Sequence, residues 1–134
     1  RYISVTGVQT CALPIYGPVP ADSWVLFETG WSRLWQKPDA YHTAFPGVTE
    51  EAVRFLCRER TIAGIGIDSP GADGGASTDF AANRLLAEHG ALHLENLRRL
   101  EQLPAVGFQL FIGALPLAGA TGSPCRVIAL MPSP

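Results

Sequence analysis

Hydrophobic and polar positions follow strand-like and helix-like patterns in turn from Ser23 onward. Residues 23–28 are apolar and rich in strand formers, which predicts a mostly buried strand. Thr49 stands in an N-cap position before two glutamates and an apolar face, which predicts a helix over residues 49–59. The run 61–67 is too short for a helix and predicts a strand buried on both faces. Strand, helix and buried strand in this order indicate a crossover unit with parallel strands, and an α/β fold.

The second half of the chain continues the same alternation. A helix is predicted over residues 80–89, with Thr78 or Asp79 as its N-cap and Gly90 as its C-terminal stop. The pattern then predicts a short strand over 91–94, a helical turn over 97–103, and two further strands over 108–113 and 125–131.

The first sixteen residues fit neither pattern. Residues 5–15, VTGVQTCALPI, resemble the in-frame translation of a common sequencing-library adapter. We therefore predict that residues 1–16 are a non-native leader without a partner in the core. Residues 17–134 then hold the native domain, truncated at its N-terminus.

Composition limits the classes of partner. The 134 residues are enough for one domain, and a net charge of −2 gives no nucleic-acid footprint. No apolar run approaches the ~20 residues of a membrane-spanning helix. Outside the leader, Cys57 and Cys125 have no CxxC spacing and are expected to be buried small hydrophobes in a reducing, cytoplasmic setting.

Candidate chemistry concentrates between Ile62 and Leu97. Asp68 ends the buried strand, where ligands tend to bind in α/β sheets, and Ser69 and Asp73 follow in a Gly-rich loop. Asp68 has two interpretations: it caps the loop through backbone N–H groups, or it orients a catalytic group. The glycines match no dinucleotide or P-loop pattern, so a phosphate cradle is not expected.

Three aromatic side chains lie close together before this region. Trp31, Trp35 and Tyr41 either cover the edge of the core or line a pocket for a planar substrate.

An ordered series of segments resembles the C-terminal half of the cyclase family, whose best-known activity is bacterial kynurenine formamidase. The resemblance covers residues 18–130, and its segments are WVLFETGWSRLW, GIDSPGAD, DFAANRLLAEHG, LHLENL, LPAVGF and GATGSPCRVIAL. It implies a β/β/α swivelling-domain fold and metal-dependent hydrolysis of small amides, such as N-formylkynurenine in tryptophan catabolism or the cyclic amide isatin. It also implies a homodimer in the full-length protein.

The resemblance assigns metal ligation to Glu95, the glutamate of the ENL element. Asn83 stands where the family has a second ligand, a histidine, and Asn is a weak ligand for Zn²⁺ although its oxygen suits harder cations. The family's other ligands lie in an upstream HxGTHxDxPxH-type motif that this sequence lacks, so catalytic residues are unassigned. His89 and His93 are interpreted as a helix-end histidine and as a surface or hydrogen-bonded histidine.

These observations lead to the following functional expectations. The protein is expected to be a hydrolase of a small amide that uses Zn²⁺ or Mn²⁺, with Asp68, Ser69, Asp73, Trp31 and Trp35 as supporting groups around the substrate. This chain by itself is expected to be inactive, because one carboxylate cannot hold a catalytic metal. The alternative is a non-catalytic small-molecule-binding or assembly module, which the asparagine favours. A generic α/β domain of shared architecture is the third interpretation.

Overall fold

A computed structural model describes Tyr2–Ile3 and residues 16–131 of the chain. The chain divides into two compact units, Arg1–Glu101 and Gln102–Pro134. In the described residues, the first unit holds a three-stranded and a two-stranded parallel sheet with their helices, and the second holds an antiparallel hairpin.

The three-stranded sheet is the centre of the first unit. It contains β2 (Trp24–Phe27), β4 (Gly64–Ile67) and β5 (Leu92–Leu94) in the order β2-β4-β5. Trp24 pairs with Gly64, and Gly64 pairs in turn with Leu92, all in parallel. All four residues of β4 are buried, which confirms the predicted crossover unit and the strand covered on both faces. Parallel pairing brings the carboxyl ends of the three strands to one edge.

Helix α2 (Glu50–Arg60) connects β2 to β4 and begins as its sequence predicts. The Thr49 hydroxyl accepts a hydrogen bond from the Ala52 amide at 3.2 Å, and the helix buries one apolar face. That face consists of Ala52, Val53, Leu56 and Cys57. It packs into the core with Ile65 and Ile67 of the sheet.

Helix α3 (Ala81–Glu88) connects β4 to β5, but its N-terminal cap differs from the prediction. Neither Thr78 nor Asp79 caps it; Phe80 occupies the cap position with a φ of 51° and no side-chain hydrogen bond. The first amides are satisfied instead by a carboxylate from the preceding loop, that of Asp73. Gly90, with a φ of 68°, ends the helix region as predicted.

The remaining elements of the first unit are short. They are β1 (Tyr2–Ile3), α1 (Pro38–Tyr41), β3 (Gly47–Val48), and 3₁₀ turns at Trp31–Leu34 and Leu100–Gln102. The second 3₁₀ turn confirms the helical turn predicted over 97–103.

The predicted leader lies mostly outside the described residues. Within it, Tyr2 pairs in parallel with Gly47 and Ile3 with Val48, a pairing that the sequence does not indicate. The assignment of residues 1–16 as a leader therefore stays a prediction.

One glycine of β4 shows how closely the sheet is covered. A Cβ placed on Gly64 would lie 2.4 Å from the Leu92 carbonyl oxygen of the neighbouring strand and 2.7 Å from the Trp24 ring, closer than real Cβ contacts. The strand therefore needs glycine at this position, because any side chain would displace its neighbours.

The second unit contains β6 (Gln109–Ala114) and β7 (Cys125–Leu130), paired antiparallel with Ala114 opposite Cys125. Both strands confirm the predicted ones. Cys125 is exposed, so the expectation that it is buried is wrong, whereas Cys57 is buried as expected. The hairpin has no third strand among the described residues of its unit, which leaves apolar side chains exposed.

No helix in the described part of the chain is long and apolar enough to cross a membrane.

Candidate functional site

Polar side chains from three strands meet at the carboxyl edge of the parallel sheet. Thr29 follows β2, Asp68 follows β4, and Asn96 follows β5. The amides of Asn96 and Leu97 donate to the carbonyls of Ser69 and Ile67 at 2.9 and 3.0 Å, which fixes the ENL turn on the end of β4. The fold thus brings the ENL element and the aspartate loop together, as the sequence predicts.

Asp68 is a buried carboxylate with structural partners. Its side chain is 1% exposed, and its Oδ1 accepts from the Thr29 amide at 2.9 Å and the Thr29 hydroxyl at 2.6 Å. Its Oδ2 accepts from the Ser32 amide at 3.3 Å. All three donors belong to the residues after β2 and none to the loop that follows Asp68, so Asp68 caps a neighbouring turn and not the loop that the sequence predicts.

Tyr41 links this loop to the ENL turn. Its ring is 2% exposed, and its hydroxyl donates to Asn96 Oδ1 at 2.8 Å. Burial raises the pKa of the Tyr41 phenol, with the negative charge of Asp68 as the next cause, while Arg98 acts in the opposite direction. The phenol therefore remains a neutral donor, and it holds Asn96 in its left-handed conformation, with a φ of 58°.

Glu95, the candidate metal ligand, lies beside this network at the surface. Its side chain is 34% exposed, and its Oε1 lies 3.1 Å from His93 Nε2. A Cβ built on Gly71 would lie 3.7 Å from the same oxygen, so the carboxylate stands over the aspartate loop. His93 is thus partnered, and the partner is the candidate ligand itself. Sequence reasoning did not pair them, although residues two apart at a strand end can share one face.

Ser69 and Asp73 bind backbone rather than facing a ligand. The fully buried Ser69 hydroxyl lies 2.8 Å from the Pro46 carbonyl and 3.2 Å from that of Gly71. The two carboxylate oxygens of Asp73 accept from the amides of Ala82 and Asn83, each at 2.9 Å. Both residues therefore shape the loop, and their role as supporting groups around a substrate stays a prediction.

Asn83 carries a buried oxygen that lacks a partner. Its Oδ1 has no hydrogen-bond donor among the described residues, although its backbone amide is bound by Asp73. A buried unpaired carbonyl oxygen is unfavourable, and a native protein ordinarily satisfies it. This oxygen stands at the position where the family resemblance expects a histidine.

The aromatic residues form a cluster around Tyr41. Trp31 Nε1 donates to the Tyr41 carbonyl at 2.8 Å, and the Trp35 ring meets the Tyr41 ring edge-on with centroids 5.2 Å apart. This arrangement supports the interpretation that the tryptophans cover the edge of the core.

His89, at the end of α3, contacts the Leu85 carbonyl through Nδ1 at 2.8 Å, as its helix-end interpretation requires.

The donor set does not complete a metal centre. A catalytic zinc site uses three protein ligands, whereas no group of three His, Cys, Asp or Glu side chains suited to a metal occurs in residues 2–3 and 16–131. The His93 and Glu95 side chains supply two donors at most.

Comparisons with known proteins agree on one family. The model of the Cyclase family matches residues 1–74. An isatin hydrolase of Roseibium aggregatum is 32% identical over 127 residues, which cover 87% of this chain and 48% of that protein. The structure of isatin hydrolase A from Ralstonia solanacearum superposes with a TM-score of 0.90 at 30% identity, covering 98% of this chain and 53% of that one.

A further solved structure carries a broader description. It is described as a potential metal-dependent hydrolase with cyclase activity, and it matches with a TM-score of 0.78 at 27% identity, over 99% of this chain and 60% of that one. The chain thus spans about half the length of the curated relative it matches. The expected α/β cyclase fold is confirmed.

Proposed function

Because the chain belongs to the cyclase family, we propose that the full-length protein is a metal-dependent hydrolase of a small amide. The observation that carries the proposal is the similarity to isatin hydrolases over nearly the whole chain, with Glu95 held at the carboxyl edge of the sheet. We take a cyclic aromatic amide of the isatin class as the first substrate. N-formylkynurenine, the substrate of the formamidases that the sequence resembles, is the second.

Hydrolysis of such an amide needs a nucleophilic water and a polarised carbonyl. Water adds to the carbonyl carbon, the C–N bond breaks, and the nitrogen takes a proton, so a cyclic amide yields an amine and a carboxylate in one molecule. A divalent metal supplies both the polarisation and a more acidic water in such reactions. We propose Zn²⁺ or Mn²⁺ as the cofactor.

The chain's own contribution is one side of the site. Glu95 offers an oxygen at the surface, and the hydrogen bonds of Asn96 and Leu97 to β4 hold its backbone in place. His93 Nε2 lies 3.1 Å from Oε1 of the same carboxylate and restricts its orientation. The described residues do not fit a complete metal centre, so the remaining ligands would come from parts of the full-length protein outside this chain, which covers 48% of the relative.

Turnover of the two amides tests the proposal. We expect the full-length protein with added Zn²⁺ or Mn²⁺ to open isatin, and the present chain to show no measurable turnover. Glu95→Gln should abolish the activity of the full-length protein, while Glu88→Gln, on the exposed side of α3, should leave it unchanged. Turnover of neither amide, or an unaffected Glu95→Gln variant, would contradict the proposal. Preference for N-formylkynurenine would assign the formamidase activity instead.

One observation favours the second candidate, a non-catalytic binding module. Asn83 keeps an unpaired buried oxygen where the family has a ligand, which fits a site that no longer holds its metal. The Asn83→His variant of the full-length protein discriminates between the two by calorimetric titration with Zn²⁺. If the wild type binds Zn²⁺ and hydrolyses an amide, the enzyme is supported. If only the variant binds Zn²⁺, the binding module is supported.

The homodimer is proposed on the exposed apolar surface of the hairpin. Large side chains are exposed on both strands and their connection, namely those of Phe111, Leu115, Leu117, Ile128 and Leu130. Apolar clusters of this kind are typical of protein interfaces. Sedimentation of the full-length protein should show a dimer, and Phe111→Lys should shift it towards monomer.

The free thiols of Cys57 and Cys125 support the proposed cytoplasmic setting.

A further inference from the structure

A cleft of about 280 Å³ in the first unit is lined largely by guanidinium groups. Its lining residues are Ser32, Arg33, Arg98, Arg99 and Glu101, which we call the arginine cleft. The first two belong to the 3₁₀ turn after β2, and the others follow β5. The Ser32 amide is bonded to Asp68 at the end of β4, so the cleft lies at the carboxyl ends of the parallel strands. Ligands of α/β sheets characteristically bind at that edge.

The charge of the cleft is not balanced by its own residues. It has three guanidinium groups and one carboxylate, and all three arginines are exposed. Within residues 2–3 and 16–131, the ion pairs are those of Arg54 with Glu50 and His93 with Glu95. None of the three cleft arginines therefore has a carboxylate within ion-pair distance in the described structure. A planar guanidinium presents paired N–H donors that match the two oxygens of a carboxylate.

The backbone of the cleft adds an independent observation. Arg99 has a φ of 62°, in the left-handed region that favours glycine. A non-glycine residue in this conformation is uncommon, and such residues cluster at ligand sites, where the surrounding structure holds them. The strained position carries one of the three guanidinium groups, so strain and positive charge coincide.

We propose that the arginine cleft binds the carboxylate of a small aromatic acid. Its volume suits a compound of about one ring, since pockets for drug-sized ligands start at ~300 Å³. Glu101 lowers the formal charge of the cleft from +3 to +2, which attracts monoanions and dianions alike, so the ring of the ligand is what distinguishes it from phosphate. Guanidinium planes also stack on aromatic rings, which adds contact area for the ring of the acid. The proposal does not depend on amide hydrolysis by the protein.

Titration of the chain with three probes tests the ligand class. Benzoate, uncharged benzamide and inorganic phosphate are added at low ionic strength, and binding is followed by amide chemical shifts. We expect saturable binding of benzoate, with shifts around the cleft, and binding of benzamide and phosphate that is weaker by about tenfold or more. Added NaCl should weaken benzoate binding, because the pairs are exposed. Absence of saturation, equal binding of benzamide, or tighter binding of phosphate overturns the proposal.

Three substitutions and a matched control assign the site. Arg98→Gln should weaken benzoate binding by about tenfold, and Arg98→Lys should restore only part of it, because lysine keeps the charge without the paired donors. Arg99→Gly should also weaken binding, and it relieves backbone strain at this position instead of adding any. Arg58→Gln, an exposed arginine of α2, is the control and should bind as the wild type does. Equal weakening by the control, or unchanged binding in Arg98→Gln and Arg99→Gly, overturns the assignment.

Discussion

Substitution of Asp68 measures how much its hydrogen bonds contribute to the free energy of unfolding. The carboxylate is buried and accepts two short hydrogen bonds from Thr29 and a longer one from Ser32. A hydrogen bond to a charged group contributes about 1.5–3 kcal/mol, so loss of the two short bonds in Asp68→Ala should cost about 3–6 kcal/mol. That is a large share of a typical stability of ~5–15 kcal/mol.

The isosteric variant separates hydrogen bonding from packing. Asp68→Asn keeps one acceptor oxygen for Thr29, but its amide group cannot accept from the Ser32 N–H. We therefore expect an intermediate loss of about 1–2 kcal/mol. Asp39→Asn is the matched control: this carboxylate is exposed, and the variant should lie within about 0.5 kcal/mol of the wild type.

Urea unfolding followed by tryptophan fluorescence measures these differences. The three tryptophans, Trp24, Trp31 and Trp35, all lie in the first unit, so the signal reports on the part of the chain that contains Asp68. The unfolding midpoint should fall in the order Asp39→Asn, Asp68→Asn, Asp68→Ala, with an unchanged slope. Equal midpoints for Asp68→Ala and Asp39→Asn would refute the reasoning, because the buried carboxylate would then contribute nothing through its bonds.

Three further predictions follow from the same contacts. Tyr41→Phe removes one donor and should cost about 1 kcal/mol at neutral pH. Because burial raises the pKa of Tyr41, the unfolded chain ionises first; wild-type stability should fall as the pH rises above ~10, and less so in the variant, which melting curves from pH 8 to 11 would show. Asp73→Ala should cost about 0.5–2 kcal/mol and speed amide exchange in the first turn of α3, whereas Asp79→Ala should do neither. Gly64→Ala should lower the unfolding free energy by about 1–3 kcal/mol, because its methyl group would overlap the Leu92 carbonyl oxygen of the neighbouring strand; an unchanged melting temperature would refute this.

The parts of the fold that sequence predicts are those with local causes. Thr49 caps the helix that directly follows it. The apolar residues of β4 by themselves indicate a strand that is buried on both faces. The cap of α3 could not be predicted in this way, because Asp73 lies nine residues before Ala82 and reaches it only after the loop has folded. Thr78 and Asp79 had the right residue types next to the helix, but the left-handed Phe80 turns the chain away from them.

The candidate site also contains features that the sequence predicts and features that depend on contacts between distant residues. Glu95 was identified by family resemblance, and its position at the strand edge agrees with the expected parallel sheet. The arginine cleft could not be predicted, since Arg33 and Arg98 come from opposite sides of β4 and meet only in the folded sheet. The exposure of Cys125 also escaped prediction, because an apolar strand pattern does not reveal whether anything covers the strand.

The pairing register of the parallel sheet has a consequence for the kinetics of folding. Trp24 meets Gly64, and Gly64 meets Leu92, so each contact closes a long loop that contains a helix. Closing such a long loop costs conformational entropy before the strands make their stabilising contacts. This order of events slows folding. We expect α2 to gain structure early and the sheet to form around β4, because β2 and β5 each pair with that strand. The amide hydrogens of β4 should then exchange with solvent only when the whole unit opens.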